Sequence, residues 1–79
     1  LGLAPAYFTR LFQRRIGMTP VKYIIEVRVA QAKRMLTEEN YSIKEIAAAL
    51  HYEDQLYFSR QFTKATGLPP RKYREQTRR

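Results

Sequence analysis

No cysteine occurs anywhere in the 79 residues, which excludes disulfides and thiolate metal sites and leaves the redox compartment unmarked. A single histidine, His51, all but removes histidine-based metal or proton-transfer chemistry. Acidic side chains are scarce as well, seven against fifteen Lys and Arg. They gather near helix starts and one turn, where capping and dipole roles account for them, so an enzyme is not expected and no cofactor or metal is implied. No apolar run reaches the roughly 18 residues of a membrane span, and no basic-then-apolar leader is present. At this length only one small domain is expected, close to the size at which a single core is marginal.

What is present in quantity is positive charge, and its distribution is informative. The net charge of +8 divides into +6 over residues 1–37, −4 over 38–54 and +6 over 55–79. Two basic blocks flanking an acidic middle predict a two-lobed footprint for a polyanion. The alternative reading of charge alone is a generally soluble basic surface.

The two basic blocks are also copies of one another. Tyr7 to Tyr23 reads YFTRLFQRRIGMTPVKY and Tyr57 to Tyr73 reads YFSRQFTKATGLPPRKY, with 8 identities in 17 positions at an offset of 50. Thr9/Ser59, Arg14/Lys64 and Met18/Leu68 are near matches. Repetition at a fixed distance implies one supersecondary unit used twice.

Apolar spacing predicts helices throughout. From Pro5 to Ile16, Phe8, Leu11, Phe12 and Ile16 share one face, and Gly17 ends the helix. Thr19 and Pro20 open the longest helix, to about Thr37, with Val21, Ile24, Ile25, Val29, Ala32, Met35 and Leu36 as its apolar stripe. Arg28 sits near that stripe and is read as a paired structural arginine rather than a DNA contact. Ser42 and Glu45 form a capping box for a helix over 42–50, onto whose first turn Tyr41 can staple through Ile46; Ile43, Ile46, Ala47 and Leu50 face inward. After His51-Tyr52-Glu53, Asp54 caps a helix over 55–65 that buries Phe58 and Phe62 fully and Leu56 in part, and Gly67 stops it. A last helix runs from Pro70 to about Gln76 with Tyr73 inward, and Thr77 to Arg79 are expected to fray.

A short helix, a turn of three or four residues and a second helix with a polar, basic outer face form a helix-turn-helix pattern. The run SIKEIAAALHYEDQLYFSRQFTKATGLPPRKYR closely resembles the signature of the AraC/XylS family of bacterial transcription regulators. The stretch APAYFTRLFQRRIGMTPVKYIIEVRVAQAKRML resembles that family's first recognition helix and connecting helix. The resemblance implies an all-α domain of two helix-turn-helix, homeodomain-like subdomains joined by a long helix. On it, residues 1–18 are the remainder of a first unit, 19–37 the connecting helix, and 42–79 the second unit with its C-terminal helix. It also implies sequence-specific binding of double-stranded DNA, a cytoplasmic, nucleoid-associated location, and RNA polymerase as partner of the full-length regulator. The rivals are a nonspecific basic nucleic-acid binder and a protein-interaction module.

Carried over by position, the resemblance places base contacts on Ala6, Thr9, Arg10 and Gln13 of the first recognition helix and on Gln55, Leu56, Ser59 and Arg60 of the second. Arginine can grip guanine with two donors and glutamine can pair with adenine. Arg14, Arg15, Lys64 and Lys72 are placed for phosphates. Three departures stand out. The helix that precedes the first recognition helix in the family is expected before Leu1, so the first unit is incomplete here and Phe8, Leu11 and Phe12 form an apolar patch inviting self-association. His51 stands where glycine is usual and serves as a turn residue. Pro69 and Ala4 replace capping hydroxyls.

Overall fold

The computed structural model describes residues 5–78, with side chains from Phe8 onward; Leu1 to Ala4, the side chain of Ala6 and Arg79 lie outside the described residues. Five helices and no strand make up the described residues: α1 (Pro5–Ile16), α2 (Pro20–Glu38), α3 (Ile43–Ala49), α4 (Gln55–Thr66) and α5 (Pro70–Thr77). Each start has a local cause. The Thr19 hydroxyl accepts from the Lys22 N–H at 3.3 Å, and Pro20 supplies a first helical residue whose missing donor is not needed. The capping box closes in both directions, with Glu45 N donating to Ser42 Oγ at 3.0 Å and Ser42 N donating to Glu45 Oε1 at 2.8 Å. Asp54 accepts from Tyr57 N at 2.8 Å, whereas Pro69 makes no side-chain cap and leaves Pro70 to set the start of α5. Tyr41 remains half exposed.

α3 ends in a Schellman motif: Tyr52 N donates to Ala47 O at 2.9 Å and His51 N to Ala48 O at 3.1 Å. This motif needs a left-handed residue, and His51 takes it with φ 68°, as Gly17 and Gly67 do with 92° and 87° after α1 and α4. An L side chain there costs roughly 1–2 kcal/mol. We therefore expect urea unfolding to show His51→Gly more stable by up to about 1 kcal/mol, and His51→Val less stable by at least as much. A valine variant as stable as the parent would contradict the strained turn.

The core belongs to the second unit. Val29, Ala32 and Leu36 of α2, Ile46, Ala47 and Leu50 of α3, Tyr52 of the turn and Phe58 and Phe62 of α4 are buried, with Tyr73 of α5 packed against them. Ala47, 2 % exposed, keeps α3 and α4 close. The stripe read along α2 is thus buried only in its C-terminal half. Val21 is 69 % and Ile24 49 % exposed, because α3 to α5 pack on the other end of the helix.

The repeat holds in three dimensions. Phe58–Phe62 and Phe62–Tyr73 ring centroids lie 5.8 and 5.4 Å apart; fifty residues earlier, Phe8–Phe12 and Phe12–Tyr23 lie 6.0 and 5.5 Å apart. Their surroundings differ, since Phe58 is 1 % exposed and Phe8 44 %. The molecule measures 46 × 23 × 18 Å with a radius of gyration of 14.7 Å, well above the about 12 Å of a compact chain of this length, as two lobes on one helix require.

Thr77 and Arg78 differ from the expected fraying, while Arg79 lies outside the described residues. α5 continues through Thr77, and two arginines at its end cap the far end of α2. Arg74 donates to Leu36 O at 3.0 Å, Glu39 O at 3.4 Å and Tyr41 O at 2.5 Å. Arg78 donates to Leu36 O and Thr37 O at 3.0 and 3.2 Å and to Asn40 Oδ1 at 3.0 Å. The last carbonyls of a helix lack partners within it, and α2 ends without a glycine cap; the guanidinium groups replace one. Burial, together with the neighbouring Arg78, holds Arg74 below the ordinary arginine range.

Candidate nucleic-acid interface

On α4 the buried face carries Phe58 and Phe62, which turns Leu56, Ser59, Arg60, Thr63 and Lys64 toward the opposite side. Ser59, Arg60, Thr63 and Lys64 line one shallow surface depression, and the Thr63 hydroxyl donates to Ser59 O at 2.7 Å. Gln55 and Leu56 stand exposed at the N-terminal end of this face. The expected partial burial of Leu56 does not occur: it is 61 % exposed, because at 100° per residue it lies roughly 160° around α4 from the buried Phe58. The result is an apolar side chain among polar and basic ones, the composition that suits base edges and thymine methyl groups.

α4 is fixed from behind by Tyr52. Its ring lies 5.2 Å from that of Phe58 and 5.7 Å from that of Tyr57, and its hydroxyl donates to Gln61 Oε1 on α4. Arg28 of α2 sits over the same ring, 5.1 Å from its centroid. Arg28 is therefore held structurally, by a cation–π contact with an aromatic face. Burial pushes the Tyr52 hydroxyl above its ordinary pKa, with Arg28 acting in the opposite direction. This linkage between α2, the turn and α4 joins residues far apart in the chain, and no local pattern announces it.

α1 presents Arg10, Gln13 and Arg14 exposed and Thr9 half-buried. Arg10 and Arg60 occupy the same place in the two copies. Arg15 lies roughly 140° around α1 from Arg10 at 100° per residue, and it borders the depression formed by Phe8, Leu11, Phe12 and Ile16. Its surroundings thus differ from those of Arg14. Lys64 and Lys72 are both exposed, the first on the α4 face and the second in the first turn of α5. Lys22, the counterpart of Lys72 at the repeat offset, is exposed in the first turn of α2 and is absent from the sequence-based candidates; the offset of 50 is the signal that identifies it.

One complete unit of helix, tight turn and basic outer helix, α3 to α4, and a second copy of the outer helix in α1 define this as a helix-turn-helix domain. The family model described as a helix-turn-helix domain matches residues 1–76, and the chain belongs to the AraC-type helix-turn-helix family of transcription regulators. Over 70 residues it is 43% identical to YobQ of Bacillus subtilis, an uncharacterized HTH-type transcriptional regulator, covering 89% of this chain and 29% of that protein. Over 67 residues it is 42% identical to the HTH-type transcriptional activator RhaR of Cronobacter sakazakii, covering 85% and 24%. This chain thus spans about a quarter of the length of these curated relatives.

Among solved structures, the C-terminal domain of AraT, a response regulator from Geobacillus stearothermophilus, superposes with a TM-score of 0.92 at 30% identity, over 98% of this chain and 64% of that one. The DNA-binding domain of the global transcriptional factor AdpA, solved in complex with a target DNA, superposes with a TM-score of 0.88 at 28% identity, over 95% and 68%. Among the described residues no helix is long and apolar enough to cross a membrane.

Proposed function

We propose that this chain is the DNA-binding part of a transcription regulator and binds double-stranded DNA sequence-specifically, with α1 and α4 reading successive major-groove segments on one face of the duplex. The observation that carries this reading is the pairing of equivalent arginines, Arg10 and Arg60, on the outer faces of two repeated helices in a body 46 Å long. Such a body is long enough to address groove segments about 34 Å apart. The likeness to the AdpA domain that was solved with DNA supports it.

On this reading Thr9, Arg10, Gln13, Gln55, Leu56, Ser59 and Arg60, with Ala6 by position, face base edges. Arg14, Arg15, Lys64 and Lys72 are assigned to phosphates, and the target is an asymmetric two-part sequence. The complete regulator works in the cytoplasm at the nucleoid and engages RNA polymerase. The apolar depression on α1 is a surface for self-association when nothing else covers it.

Selection from a random duplex library at near-physiological salt tests the reading. Two short motifs about one helical turn apart are expected, and Arg60→Ala is expected to lose one of them, with a penalty of about 1–3 kcal/mol at the guanine it grips. No enrichment of any motif would leave only nonspecific binding.

A further inference from the structure

A groove of about 500 Å³ separates the start of α2 from the side of α4, and neither the core nor the reading faces account for it. Its two cationic walls are Lys22 on α2 and Lys64 on α4, and Glu26, one turn beyond Lys22, is the acidic residue among its lining. Lys64 also lines the outer depression that holds Arg60 and Ser59, so the groove opens directly beside the reading face of α4. On its α2 side the lining begins at Thr19, three residues after α1 ends at Ile16.

Resting on the DNA-binding reading above, we propose that this groove seats the sugar–phosphate backbone of the duplex between the two major-groove segments, with Lys22 and Lys64 as its two cationic contacts. Three observations converge on it. The groove adjoins the depression that holds Ser59 and Arg60 through the shared Lys64. Its two lysines complement a phosphate chain, and Thr19 and Gln61 add neutral hydrogen-bonding groups beside them. The repeat supplies the third: Lys22 stands fifty residues before Lys72, so each recognition helix is followed by a lysine in the first turn of the next helix. A backbone contact of this kind sets register and spacing and carries no sequence preference of its own.

Glu26 gives the groove a distinctive signature. A carboxylate beside the backbone path weakens binding in a way that neutralisation relieves, so Glu26→Gln is expected to bind all duplexes more tightly with unchanged motif preference.

The test measures affinity for the selected duplex and for an unrelated one across a salt series. Lys22→Ala is expected to lose about fivefold at 0.15 M salt on both duplexes and to reduce the salt slope by about 0.9, the share of one released counterion. Lys22→Arg should restore the slope, which separates charge from packing, and circular dichroism confirms the fold of each variant. In parallel, single methylphosphonate substitutions are walked through the spacer between the two motifs. At one or two positions they should weaken the parent protein several-fold and leave Lys22→Ala or Lys64→Ala unaffected. An unchanged salt slope in Lys22→Ala, or a silent methylphosphonate walk, overturns the groove while leaving the DNA-binding reading in place. A parent protein with no preference between the selected and unrelated duplexes refutes that reading and the groove with it.

Discussion

Phe62→Ala is expected to remove a large share of the stability of this chain, while Phe12→Ala, the same change at the equivalent position of the first copy, is expected to cost far less. Both rings make an edge contact with a tyrosine at nearly the same distance, 5.4 Å to Tyr73 and 5.5 Å to Tyr23. Phe62, however, is fully buried among residues of α2, α3 and α4, whereas Phe12 keeps part of its surface in water. Truncating a buried phenylalanine costs about 3–5 kcal/mol, the transfer of the ring plus the cavity left behind. A 79-residue domain has about 4–12 kcal/mol in total. The half-covered ring has less to lose and an open site that can collapse, for about 1 kcal/mol. Urea midpoints of the two variants measure the difference directly. Equal losses would mean that the first copy is as well packed in solution as the second.

The second large effect is expected from Arg74→Ala. Three backbone carbonyls accept from this guanidinium, at Leu36, Glu39 and Tyr41. Removing it leaves the end of α2 without its cap and unties α5 from the α2–α3 corner. Hydrogen bonds from charged donors contribute about 1.5–3 kcal/mol when buried, and here they are only part-buried, so the net loss is about 2–3 kcal/mol for the set. Thermal unfolding should shift down by roughly 10–15 °C for a domain of this size. Arg74→Lys should recover less than half of it, since one ammonium cannot span three carbonyls as a planar fork does. Arg78→Ala should cost less, because Arg74 still holds Leu36. A melting temperature within about 2 °C of the parent for Arg74→Ala, well inside the shift expected for a lost cap, would show that water replaces it at no cost.

These two arginines also mark where sequence reasoning stops. Helix starts are legible because their causes are local: Ser42 with Glu45, Asp54 with the Tyr57 N–H, Thr19 with Pro20, and His51 in the left-handed turn all act within four residues. The clamp of Arg74 and Arg78 on α2 spans 33 to 42 residues, and the stacking of Arg28 on Tyr52 spans 24, so neither leaves a local pattern. Periodicity likewise gives α2 one continuous apolar stripe, since spacing tells which residues share a face and not which part of that face meets another helix. For the candidate interface, membership of the outer faces of α1 and α4 can be read from spacing and the repeat. The exposure of Leu56, the separate position of Arg15 and the groove beside Lys22 depend on how the helices are packed.

The buried half of α2 has one more implication. Val29, Ala32 and Leu36 belong to the second unit's core, and Tyr23 belongs with the aromatic ladder of the first, so the seam between the two repeats runs through the middle of a continuous helix and not through a loop. An exchange that keeps the packing of both repeats therefore crosses over inside that helix, near Val27. A junction placed in the tempting gap at Asn40 would leave α3, α4 and α5 without the wall they fold against, whereas one at Thr19 would carry the second head away intact with a helical handle attached.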